Sequence, residues 1–312
     1  MHNKKYSTIL YKMSSTEEQK TFVNRTVILN STNIVPNTNN SRLNYRFNDA
    51  INLKKGDKIS LASMSIYKSW FNVNANLYNN HLISYKWFNS SGNLSDVFNI
   101  TIPDGFYSIT TLQLFLESEF FKRGHYLANV VSGLNEYFIT LRANEVQYAI
   151  QLYISAVPNT LLDGTETKYI KTGTWSLPSV ATCPQLIVSS MSKIGALIGF
   201  SAGTYPSTTV TNSNYSIIGD IVPQINPISG ILMKCSLVSN SIMNPSDILY
   251  QFSDSGIEFG GLINVDPNNL LYVNVSEGWV QQISIELVDQ LLGPIHIKDP
   301  SMVIMLSILT QN

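Results

Sequence analysis

The chain has 312 residues, 44% apolar and 11% aromatic, which is enough to bury a core without metals or disulfides and too apolar for a disordered tail. Charged residues are only 13%, with 32 Asn, 37 Ser and 21 Thr in their place. The net charge of −1 argues against a dedicated nucleic-acid binder, and 33 Ile against 10 Ala favours strands over a helix bundle.

Residues 1–22 are polar, lack clear periodicity and read as a flexible arm. Strands are expected at 23–32, at Leu43 to Phe47, and at Lys58 to Tyr67 after the Lys54-Lys55-Gly56-Asp57 turn. Residues 82–88 and 97–102 are also strand-like. One helix is expected next. Ser108 is its N-cap, and Ile109, Leu112, Phe115, Leu116 and Phe120 follow helical spacing. Lys122 and Arg123 suit the last turn, and Gly124 the stop. Residues 137–155 read as a hairpin, with Val146, Tyr148, Ile150, Leu152 and Ile154 alternating along its second strand.

Stretches rich in Ser, Thr, Asn, Gly and Pro follow at 158–184 and 201–216. Strands return with Ile231, Met233, Cys235 and Leu237 on one face, then at 248–252, 270–275, 281–288 and 303–309. The last is apolar on both faces and should sit centrally. Three strands before about residue 73 and five after about 228 suit an eight-stranded Greek-key sandwich, a single jelly roll. Its expected parts are 23–73 and 221–312, with 74–220 as an inserted, mostly β domain containing one helix.

Charge is uneven along the chain. Residues 1–60 hold ten Lys/Arg against four acids, and residues 235–312 hold Lys298 against eight acids. Either the two ends pair within one domain, or a basic arm touches nucleic acid or an acidic partner. No apolar run approaches the roughly 18 residues of a membrane span. After Lys4 and Lys5 the apolar stretch is broken by Tyr11 and Lys12, so no signal peptide is expected. Cys183 and Cys235 give no disulfide framework, which points to a reducing compartment.

Chemistry is hard to find. His2, His81, His125 and His296 lack the close spacing of metal ligands. No phosphate loop, dinucleotide fingerprint or nucleophile elbow is present. A Cys–His nucleophile would need Cys183 or Cys235 beside His125 or His296, but Cys235 falls on the apolar face of its strand. Asp104 belongs to a Pro-Asp-Gly turn. Ser69-Trp70-Phe71-Asn72 is either an exposed binding patch or a buried strand-end anchor. No catalytic, cofactor-binding or metal-binding residue is assigned.

An ordered series of short segments runs from about residue 24 to 310. It comprises Asn44-Tyr45-x-Phe47, Ser69-Trp70-Phe71-Asn72, Asn79-Asn80, Tyr85-x-Trp87, Pro103-Asp104-Gly105-Phe106-Tyr107-Ser108 and Gly124-His125-Tyr126-Leu127. Ile198-Gly199-Phe200, Tyr205-Pro206, Pro223-Gln224-Ile225, Leu249-Tyr250-x-Phe252, Asp289-Gln290 and Asp299 complete it. In these segments the chain resembles the penton (minor capsid) proteins of virophages and Polinton-like viruses, the mavirus type above all.

The resemblance implies a jelly roll with an inserted upper domain, five copies closing each icosahedral vertex, and no enzyme activity or cofactor. The implied partners are itself as a homopentamer and neighbouring major capsid capsomers, with genome or inner shell met by the basic arm. The implied location is the virion, after synthesis in the host cytoplasm. His125 then belongs to a structural Gly-His-Tyr-Leu segment. Two readings from other classes stand beside it: a receptor- or carbohydrate-binding jelly roll of a virion, and a cupin-like enzyme, which would need clustered His and carboxylate ligands.

Overall fold

The computed structural model describes residues 22–311. The arm expected over 1–22 therefore lies outside the described residues except for Phe22, which opens the first strand. The chain begins with β1 (Phe22–Asn30), β2 (Arg42–Leu53) and β3 (Lys58–Tyr67). β2 is longer than the expected 43–47, because it continues through a wide bulge to Leu53.

A second body follows. Its elements are β4 (Leu82–Phe88), β5 (Leu94–Thr101), α1 (Ile109–Arg123), β6 (Leu127–Asn129), β7 (Asn135–Glu136), β8 (Ile139–Asn144) and β9 (Ala149–Ile154). Then come β10 (Leu162–Asp163), β11 (Glu166–Thr167), β12 (Tyr169–Lys171), β13 (Gln185–Val188), α2 (Ile194–Ile198), β14 (Gly203–Tyr205) and β15 (Tyr215–Ile218). The chain ends with β16 (Ile231–Cys235), β17 (Ile248–Phe252), β18 (Leu262–Val265), β19 (Val273–Asn274), β20 (Gly278–Asp289) and β21 (Met302–Gln311).

The outer strands fold as one long hairpin rolled on itself. β1 pairs antiparallel with β21, β2 with β20, β3 with β18 and β16 with β17. Rolling adds the pairs β21 with β3 and β16 with β20. The outcome is two sheets, ordered β1-β21-β3-β18 and β17-β16-β20-β2, which is a jelly roll. Alternation sets its interior: Val27, Leu29, Ile59, Leu61, Ile304, Leu306 and Ile308 from one sheet face Leu43, Ile231, Met233, Ile283, Ile285 and Leu287 from the other. β21 lies between β1 and β3, as its two-sided apolarity demands.

A separate apolar cluster fills the second body, from Val73 to Phe200. α1 is built as its sequence dictates. The Ser108 side chain accepts from Thr111 N, Leu112, Leu116 and Phe120 are buried, and Gly124 closes it at φ +69°. Buried Gln113 joins it to the edge strand β8: its Nε2 donates to Ile139 O and its Oε1 accepts from Leu141 N at 2.8 Å. A mid-helix glutamine thus satisfies a strand edge that would otherwise be buried unpaired.

Three expectations fail for identifiable reasons. The second body holds two helices, not one. α2 spans five residues with no side-chain cap, too short to show a helical period. Val146 and Tyr148 are not strand residues: Glu145–Gln147 form a one-turn 3-10 helix capped by Asn144, and Tyr148 takes φ +49°. The alternation was real only from Ile150 onward, and Val146 is fully in solvent. Finally, β3 pairs not only with β21 but with the unexpected strand Leu262–Val265, while the expected 270–275 is reduced to the two-residue β19, which also pairs with β3. In β18 only Ile263 is buried, so four residues carry almost no pattern.

Candidate assembly surfaces

The residues singled out for chemistry are dispersed: His125, Cys183 and Cys235 are buried, His81 and His296 half-buried, and Asp104 exposed. His125 sits in an aromatic cage. Its Nδ1 lies 2.7 Å from the Tyr85 hydroxyl, Trp87 stacks on its ring at 5.0 Å, and Phe98 meets it edge-on at 4.6 Å. Burial, with Arg123 nearby, pulls its pKa down to about 4, so it is neutral at pH 7. Burial pushes Tyr85 up to about 12.

The Cys183 thiol is raised to about 11 by burial and touches the carbonyls of Ile154 and Ser213, and Cys235 is raised to about 12 within the sandwich core. Thiols held this far from ionisation are packing groups. Asp104 accepts from Ala75 N and stays at its turn. His2 lies outside the described residues. Among the described residues no three His, Cys, Asp or Glu side chains gather to hold a metal, and no helix is long and apolar enough to cross a membrane.

The Ser69–Asn72 stretch is the link between the two bodies. Trp70 bridges to Ile297 and is buried in the sandwich, and the Ser69 hydroxyl accepts from Asp299 N. Phe71 packs near Phe259 and under the Lys298 ammonium. Asn72 is 1% exposed, and its Nδ2 donates to both Tyr107 O at 2.7 Å and Ile225 O at 2.8 Å. Its Oδ1 accepts from Tyr107 N. The outgoing chain is thereby fastened to the returning chain, the anchor rather than the exposed-patch reading. Nearby, Lys68 forms a buried ion pair with Asp254 at 3.0 Å and donates to Ile257 O.

The outward faces of the two sheets differ. On the β1-β21-β3 side, register and alternation turn Asn24, Thr26, Ile28, Val303, Met305 and Ser63 outward. Tyr272 lies over Ser307 there, in a chain of hydroxyl contacts with Asn24. Among the strand residues turned outward here only Lys58, in register with Leu309, is charged, and Ile28 and Val303 are exposed. On the opposite sheet, Arg42 pairs with Glu286 and Lys234 with Asp247. Arg42–Glu286 is a direct ion pair between the basic and acidic ends of the sequence. A charge-poor sheet face of small polar and aliphatic side chains suits contact with another protein surface, since nothing charged must be stripped of water.

No family model matches the chain, and no curated protein matches it. Solved structures similar over nearly its full length include two from virophages. One is the mavirus penton protein, at 10% identity and a TM-score of 0.39, covering 95% of this chain and 100% of that one. The other is a chain of the Sputnik virophage structure, at 12% identity and a TM-score of 0.37, covering 93% of this chain and 98% of that one.

Proposed function

We propose that this chain is a structural capsid protein that forms the pentameric vertex capsomer of an icosahedral virion, without enzymatic activity. The observation that carries the reading is a jelly roll interrupted between its third and fourth strands by a body with its own core. The ordered segments that resemble virophage pentons fall on both bodies and on the link between them. In this reading 23–73 and 221–312 form the shell-building sandwich and 74–220 is an insertion that points outward. A closed ring of identical copies uses two different faces of each subunit, and the two outer sheet faces of the sandwich differ, one charge-poor and one carrying ion pairs. Its partners are four further copies and the neighbouring major capsid capsomers, with the basic arm toward genome or inner shell. Its place is the virion, after synthesis in the host cytoplasm.

Reconstruction of native particles tests this. Five copies per vertex are expected, with protease cutting intact particles first within 158–216. Presence in six-fold capsomers, or absence from the shell together with glycan binding by the soluble protein, overturns it.

A further inference from the structure

Left-handed backbone singles out two places on the surface. Among the described residues, seven other than glycine take a positive φ, and five of them are asparagines, which tolerate it. The other two are Leu292 at +64° and Tyr148 at +49°. A bulky side chain persists there only where its surroundings over-determine it. Asp289 builds the turn of Leu292. Its Oδ1 accepts from Leu291 N at 2.8 Å and from Gly293 N at 2.7 Å, and its carbonyl accepts from Leu292 N. Gln290 pins the same turn to the returning chain, donating to Pro227 O and accepting from Ser229 N. The turn is firmly held, yet its tip leaves Leu291 81% and Leu292 45% exposed. Tyr148, 75% exposed, stands at the rim of a pocket of about 280 Å³ walled by Ile109, Ala149, Ile150, Pro223 and Ile225.

The leucine tip and the tyrosine pocket lie at the same level of the molecule. Pro223 and Ile225 line the pocket, whereas Gln224 and Pro227 line the cleft beside Leu291, so one short stretch of the returning chain separates them. Their charges are opposite. Glu145 is the one charged side chain lining the pocket, and Lys193 lines the cleft beside Leu291. Asp289, the other charge there, is taken up by its own turn. Glu145 and Lys193 are both exposed, and among the described residues neither has an ion-pair partner.

A ring of copies closes without climbing only if the two faces of each contact lie at one level along its axis. We propose that Leu291 and Leu292 of one copy fill the Tyr148 pocket of the next, with Lys193 against Glu145 at the rim. The inference deepens the vertex reading and rests on it for the closed ring.

Leu291→Cys and Tyr148→Cys chains, mixed at high concentration and oxidised, test the contact. A mixed disulfide dimer should form, while neither variant alone should dimerise, because the contact joins two different faces. Cys183 and Cys235 are buried and stay silent. Adding Lys193→Glu to the Leu291→Cys chain should lower the yield about threefold, and adding Glu145→Lys to the Tyr148→Cys chain should restore it. All four positions are exposed, so the fold should be unchanged. A mixture no richer in dimer than its two parts overturns the proposal, and so does a yield that the charge reversals leave unchanged. Mixed dimers of a chain that particle reconstruction places outside the five-fold vertex keep the contact and dismiss the vertex. Five copies per vertex without the mixed disulfide do the reverse.

Discussion

Asn72 and Ile225 are 153 residues apart in sequence, yet the Asn72 side-chain amide donates to the Ile225 carbonyl at 2.8 Å. This contact holds together the two chain passages that leave and re-enter the sandwich. Asn72→Ala removes three hydrogen bonds at a site excluded from water. The expected loss is about 3 kcal/mol, read from urea unfolding. Asn72→Asp should be worse, because it sets a carboxylate against two carbonyl oxygens.

The same closeness bears on the insertion. Replacing residues 76–218 with a short Gly/Ser linker should leave a β-protein that unfolds cooperatively, because Asn72 and Ile225, just outside the join, already lie within hydrogen-bond distance. Loss of all cooperative unfolding in calorimetry would count against the two-body division.

Lys68 and Asp254 should show the asymmetry of a buried pair. Their side chains are 8% and 9% exposed. Lys68→Met alone strands a carboxylate and should cost about 3–5 kcal/mol. Adding Asp254→Leu should recover a large part of that loss, a coupling that a double-mutant cycle measures.

His125 predicts a pH dependence of definite sign. Its pKa is about 4 when folded, against 6.5 for an ordinary histidine, so between those values the unfolded chain binds the extra proton. Stability should therefore fall as pH drops from 6.5 to 4 and be insensitive to this group above 6.5. Allowing for partial solvent screening, the effect is about 1–2 kcal/mol. Urea midpoints measured across that range should show it, and His125→Gln, which cannot take the proton, should remove this component.

The cysteines should be inert in the native state. With thiols raised to about 11 and 12, neither should react with a disulfide reagent at pH 8 until the protein unfolds. Cys235→Ala should cost about 1–2 kcal/mol through the small cavity it leaves. Cys183→Ser should cost less, since a hydroxyl still reaches Ile154 O or Ser213 O.

Elements whose signals are local were legible in the sequence. Ser108, Gly124 and the spacing of Leu112, Leu116 and Phe120 define α1 without reference to the rest of the chain. Ile283, Ile285 and Leu287 define the inner face of β20 in the same way. What escaped depends on partners far away. β18 is a strand because β3 offers it an edge, and one buried residue in four is too little to announce it. Asn72 reads as any loop asparagine until Ile225 is beside it. Trp279 is exposed on β20 although tryptophans are usually buried, and nothing in its neighbours in sequence announces this.

The pairing of β1 with β21 has a bearing on how the molecule is made. Phe22 leaves the ribosome early, and its strand partner Gln311 follows almost three hundred residues later. The sandwich cannot close during most of synthesis, whereas the pairings of β4 with β5 and of β8 with β9 are short-range and form as they emerge. The second body thus takes shape while the sheet that awaits its last strands stays incomplete. In that state neither sheet of the sandwich presents a finished outer face.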